Sequence, residues 1–110
     1  MVVVTVGLLW SCGKKIPEGV IRQDKMTQVL IDLHIAESKV NSLSLNADST
    51  GCLIDILTQR VLEEHELDHE TYLRSYNFYM NDIRMMESVY GRVVDSLSLR
   101  YELLNNELSQ

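Results

Sequence analysis

No proline follows Pro17, and Gly51 and Gly91 are the only glycines after Gly19. A stretch so free of breakers, with apolar residues at spacings of three and four, points to helices throughout. The clearest run is Met86, Tyr90, Val93, Leu97, Tyr101, Leu104 and Leu108, a near-heptad seam. It predicts a last helix that begins at Asn81 or Asp82 and runs to Leu108. Such a helix would be about 40 Å long at 1.5 Å per residue. It would outreach its shorter neighbours and leave its last turns without an intramolecular partner. The free end of the seam (Leu97, Tyr101, Leu104 and Leu108) then either docks a protein partner or self-associates, or it folds back on its own bundle or frays.

Three shorter helices are expected before it. The first, from about Arg22 to Leu43, gathers Met26, Val29, Leu30, Leu33, Ala36 and Val40 on one face, with Asp24 in its first turn. Asn46 to Gly51 reads as a polar, turn-rich break. The second helix, from about Thr50 to Glu66, is traced by Leu53, Ile56, Leu57 and Val61, and Asp48 or Ser49 is its expected N-cap. The third runs from His69 to Met80 behind an Asp68 N-cap, with Tyr72, Tyr76 and Tyr79 as a stripe for core packing. The expected fold is all-α: a small three- to four-helix bundle with an N-terminal lipidated tether.

At 110 residues the chain suits one small domain, and 45% hydrophobic residues suffice for a core. A net charge of −6 argues against nucleic-acid binding, which needs clustered Lys and Arg. No glycine-rich phosphate loop is present.

The uncharged run Val2 to Trp10 is too short to span a bilayer, which takes roughly 20 apolar residues. It has the length of a signal-peptide hydrophobic region. Leu9-Trp10-Ser11-Cys12 resembles a bacterial lipoprotein box, although Trp10 is bulky for its position. Residues 1–11 therefore read as a lipoprotein signal peptide and Cys12 as the lipidated residue that anchors the chain to a membrane. Residues 12–21, with Pro17 and Gly19, read as a tether, and 22–110 as the helical domain. No Lys or Arg opens the signal, so the true start is expected upstream. A buried N-terminal β-strand is the alternative for the Val-rich run. Cys52, beside Leu53, Ile56 and Leu57, reads as a buried helical thiol, and a Cys12–Cys52 disulfide would exclude lipidation.

The segments Ile21-Arg22-Gln23-Asp24-Lys25-Met26 and Val29-Leu30-Ile31-Asp32-Leu33-His34-Ile35-Ala36-Glu37 resemble a family of small Bacteroidetes lipoproteins that carry a domain of unknown function. The similarity continues through Tyr72-x-x-Ser75-x-x-Phe78-Tyr79 and Met86-x-x-Val89-Tyr90-x-x-Val93-x-x-x-Leu97, and covers roughly residues 21 to 97. Asp-Leu-His-x-Ala-Glu is its most specific element. Two departures concern helix starts: Arg22 stands where a Pro is expected, and no Pro opens the last helix near Asn81. The resemblance implies an envelope protein and no activity. Many lipoproteins of that group reach the cell surface through an acidic run after the Cys. Gly13-Lys14-Lys15 stands there instead, which by that rule implies a periplasm-facing protein.

Two polar constellations invite functional readings. Glu37 lies on the helical wheel between Met26, Leu30, Leu33 and Val40, with His34 one turn earlier, while Asp32 points elsewhere. A buried carboxylate needs a partner, and His34, Arg60 and the tyrosine hydroxyls are candidates. The plain reading is a polar network fixing helix register; the functional one is a small-ligand or metal-binding module around His34 and Glu37, with Asp32 at its margin. A catalytic acid–base pair has no nucleophile to support it.

His65-Glu66-Leu67-Asp68-His69 formally matches H-E-x-x-H, which in zinc peptidases places two imidazoles on one helical face. Charged Glu63, Glu64 and Asp68 surround it, and an N-cap at Asp68 would break the helix between the histidines. A third ligand is unassigned, with Asp82 and Glu87 as candidates. His65 and His69 are thus weak metal candidates in a solvated loop, and no cofactor is expected. The leading expectation is a non-enzymatic, lipid-anchored envelope protein, with a zinc metallopeptidase as the remote alternative.

Overall fold

The computed structural model describes residues 16–109. The signal-peptide reading of residues 1–11, the lipidation of Cys12 and the basic pair Lys14-Lys15 lie outside the described residues. Four helices follow one another and no strand occurs among the described residues: α1 Gln23–Asn41, α2 Ala47–Glu64, α3 His69–Met80 and α4 Ile83–Leu108. The all-α bundle is as expected. No helix among the described residues is long and apolar enough to cross a membrane.

α1 is the hub, packing on both α2 and α4, while α3 rests mainly on α4. Two neighbours demand a wide apolar face. Met26, Val29, Leu30 and Leu33 are buried as the spacing predicts, and so is Ile31 on the flank. Val61 and Leu62 from α2, Tyr79 from α3, and Val89 and Val93 from α4 complete the cluster. Each fully buried aliphatic side chain contributes about 1.5–3 kcal/mol relative to exposure, so this cluster holds the bundle.

Residues 16–21, expected as part of the tether, are instead docked on the bundle. Ile16, Val20 and Ile21 pack against the core. Pro17 and Val20 close a turn through Val20 N–H to Pro17 C=O at 3.3 Å, with Gly19 at φ +81°. That φ favours glycine. The Gly19 carbonyl accepts from Arg74 Nη1 at 3.2 Å, and a Cβ on Gly19 would stand 2.8 Å from that nitrogen. One residue further on, the Ile21 N–H donates to Ser75 Oγ at 2.9 Å, and its carbonyl accepts from the Tyr79 hydroxyl at 2.6 Å. The peptide groups on either side of Ile21 are thus clamped by α3.

The helix ends explain the boundaries. α2 starts earlier than expected: Asn46, not Asp48 or Ser49, is the N-cap, its side chain accepting from Ser49 N–H at 2.8 Å. The polar stretch after it is the first turn of the helix. Asp68 is the N-cap of α3, and hydrogen bonding to Thr71 holds its carboxyl below the usual range. Asp82 caps α4, accepting from Arg84 and Met85 N–H groups. α2 ends at His65 in a Schellman arrangement: Leu67 N–H reaches Leu62 C=O at 2.8 Å, and Glu66 N–H reaches Glu63 C=O at 3.0 Å. The residue between, Glu66, takes φ +57°, where glycine is the usual occupant. Leu67 then turns back to pack on the core.

Two apolar expectations on α2 fail. Ile56 and Cys52 are exposed, and only Val61 and Leu62 of this helix are buried. α2 packs on α1 but touches α3 only slightly, and its buried residues lie near its C-terminal end, so its apolar stripe is wider than the surface that covers it.

Candidate functional site

Asp32, His34 and Glu37 all sit on α1, and the structure separates them into two groups. His34 and Glu37 form an i, i+3 pair, with Nδ1 and Oε2 3.6 Å apart. Glu37 is not the buried carboxylate expected from the wheel: its side chain is 46% exposed. The reason lies in what covers it. Arg60, a candidate partner, is exposed on α2 beside Asp55 and Glu63. What approaches Glu37 is a group of tyrosines. The His34 ring lies 6.0 Å from that of Tyr90 on α4, and Tyr72 and Tyr76 on α3 lie 6.0 Å apart.

These phenols share one environment. Burial, the neighbouring phenols of Tyr76 and Tyr72, a hydrogen bond with Tyr76 and the charge of Glu37 push Tyr90 up to about 12. Burial first, then Tyr76 and Glu37, raise Tyr72. At neutral pH Tyr72 and Tyr90 are therefore uncharged hydrogen-bonding groups, not bases. The cluster offers neutral phenols, an imidazole and a half-exposed carboxylate at the rim of three helices. Such groups can donate and accept hydrogen bonds to a bound molecule or hold the register of the helices.

Asp32 pairs elsewhere. Its Oδ2 lies 2.7 Å from Nε2 of His65, across from α1 to the end of α2. Lys25 Nζ donates to the carbonyl of the same His65 at 2.8 Å. His65 is thus a partly buried tie between helices, not a residue of a solvated loop. Neither this tie nor the Ile21 clamp was foreseen from the sequence. The one available signal was Ser75, a polar residue in the tyrosine stripe of α3 that proves to be fully buried.

The H-E-x-x-H geometry does not form. His65 is the C-cap of α2, Glu66 is left-handed, and His69 is the first residue of α3 and exposed. Two imidazoles on either side of a Schellman turn cannot share one helical face. No group of three His, Cys, Asp or Glu side chains that could hold a metal occurs among the described residues.

The other surface with chemical potential is the end of α4. Tyr90, Val93 and Leu97 pack against the bundle, as does Met85 in place of Met86 at the start of the seam, but beyond them the seam continues into solvent. Tyr101 is 68% exposed, Leu104 54% and Leu108 76%. The helix is 26 residues long.

Comparison with known protein families gives a match over most of the chain. The model of a family described as a domain of unknown function (DUF4296) matches residues 17–102, which takes in all of α1 to α3 and most of α4. No curated protein and no solved structure matches significantly.

Proposed function

The chain belongs to this family of domains of unknown function, and on that premise we propose that it is a lipid-anchored envelope protein whose bundle docks a partner through the free end of α4, without catalysing a reaction. The observation that carries the docking reading is the exposed apolar seam beyond Leu97. A helix end that packs on nothing gains only from local propensity, and large side chains such as Tyr101, Leu104 and Leu108 have no reason to recur at seam spacing unless something covers them. Anchoring is supported by Leu9-Trp10-Ser11-Cys12, and a Bacteroidetes origin by the Asp32-Leu33-His34-x-Ala36-Glu37 element. Gly13-Lys14-Lys15 favours a periplasm-facing anchor, with the lysines beside anionic head groups.

Deleting the residues after Leu99 tests the docking. The truncated chain should keep its helical signal and melting behaviour but lose the complex that the full chain forms in cross-linked native membranes. A truncation that retains every complex refutes the reading. The mass of the N-terminal peptide from membranes tests the anchor: a diacylglyceryl-modified Cys12 is expected, and an unmodified chain that keeps Val2 to Trp10 refutes it.

A second reading rests on the tyrosine cluster. Tyr72, Tyr76 and Tyr90 around Glu37 and His34 suit a small polar ligand held by hydrogen bonds at the rim. Thermal-shift measurements against metabolites and metal ions separate it from the first, since a ligand that binds the folded state raises the melting temperature. Zinc hydrolysis has no geometric support from the separated His65 and His69.

A further inference from the structure

The proposed docking reading leaves the partner open, and this inference rests on it. The seam beyond the bundle has a self-complementary layout. Leu97, Tyr101, Leu104 and Leu108 run along one line of α4 at spacings of four, three and four. Arg100 and Glu107 stand one heptad apart on the same flank of that line, and both are exposed. We infer that the partner is a second copy of this chain, with the two α4 ends packed antiparallel.

One register satisfies the four seam residues and both charges at once. When Tyr101 of one copy layers on Leu104 of the other, Leu97 layers on Leu108, and the two-fold symmetry repeats both layers in reverse. The symmetry of an antiparallel pair also brings like flanks together. In that same register Arg100 of each copy lies beside Glu107 of the other, giving two reciprocal ion pairs. The opposite flank carries the uncharged Ser98 and Asn105, so nothing repels there. A parallel pair does not achieve this, because it sets Arg100 against the flank of Asn105 and leaves Glu107 without a basic neighbour. A uniformly acidic or basic partner would leave one of the two charges opposed. The overlap begins at Leu97, the last residue of α4 that packs on its own core, so an antiparallel pair puts the two bundles at opposite ends of the shared segment.

Sedimentation equilibrium of the 110-residue chain in about 0.15 M salt with reductant is the test. The wild-type chain should show a concentration-dependent monomer–dimer equilibrium. Arg100→Glu and Glu107→Arg should each weaken the dimer about tenfold, because each turns two attractive pairs into two repulsive ones. The double exchange Arg100→Glu with Glu107→Arg should restore the affinity to within about twofold. Both positions are exposed, and equal far-UV circular dichroism of the variants controls for folding. A chain that stays monomeric at every concentration, single variants without effect, or a double exchange without rescue each overturns the inference. A monomeric chain whose truncation after Leu99 still loses a complex in native membranes refutes self-pairing alone and leaves the docking reading standing. Loss of neither dimer nor complex on truncation refutes the docking reading itself.

Discussion

Removing the Tyr79 hydroxyl should loosen the whole N-terminal approach to the bundle. The side chain is fully buried, and its hydroxyl donates to the Ile21 carbonyl at 2.6 Å. Tyr79→Phe keeps the ring and its edge-on contact with Phe78, with centroids 5.1 Å apart. The change therefore isolates one hydrogen bond and leaves a partly buried carbonyl unpaired. A lost net hydrogen bond and an unsatisfied carbonyl together cost about 1.5 kcal/mol. For a domain of this size that lowers the melting temperature by roughly 6–12 °C. Ser75→Ala removes the acceptor for the Ile21 N–H at 2.9 Å and should cost about 1 kcal/mol. Both bonds hold the same residue, so once one is gone the other holds less. The double variant should fall short of the sum by about 0.5 kcal/mol or more. Thermal and urea unfolding followed by circular dichroism gives the stabilities, and hydrogen exchange at the Ile21 amide reports the clamp directly. A Tyr79→Phe protein that melts within about 1 °C of the parent, with the Ile21 amide still protected, refutes the reasoning.

Other consequences follow from the same geometry. Glu66→Gly should raise stability by about 0.5–1 kcal/mol, read from urea midpoints, because it relieves a left-handed non-glycine residue at the end of α2. Asp82→Ala should cost about 1 kcal/mol of stability, since its carboxylate accepts from two backbone N–H groups at the start of α4. Glu37→Ala should change stability by no more than about 0.5 kcal/mol, in keeping with a half-exposed i, i+3 pair; a larger loss would restore the buried-network reading. The tyrosines give an alkaline signature. A phenol whose folded value lies above its unfolded value near 10 contributes stability that is complete below pH about 10 and lost as pH rises through the folded value. Burial and its neighbours hold Tyr90 at about 12, so its share of stability should fade between the two, and ultraviolet titration should show the Tyr90 phenol ionising late.

How much of this was legible in the sequence depends on the range of the interaction. Helices and their order follow from local rules: apolar spacing, the absence of proline after Pro17, and capping residues such as Asp68 and Asp82. The overhang of α4 was equally readable, because helix length is a local property. The break between His65 and His69 was legible too, through the Asp68 cap, although the Schellman turn and its left-handed Glu66 were not.

What only the tertiary structure decided is which faces meet. A helical wheel shows a face but not its cover, so Glu37 looked buried and Cys52 looked internal, while both are at the surface. The wheel has no knowledge that α3 barely touches α2, leaving Ile56 exposed. The Asp32–His65 tie and the clamp on Ile21 join residues 33 or more positions apart. No periodicity encodes such pairs, because they exist only once the helices have docked. The sequence by itself determined the elements and the apolar supply of each. Docking determined the demand, and where supply exceeds demand, at the end of α4, apolar side chains are left exposed.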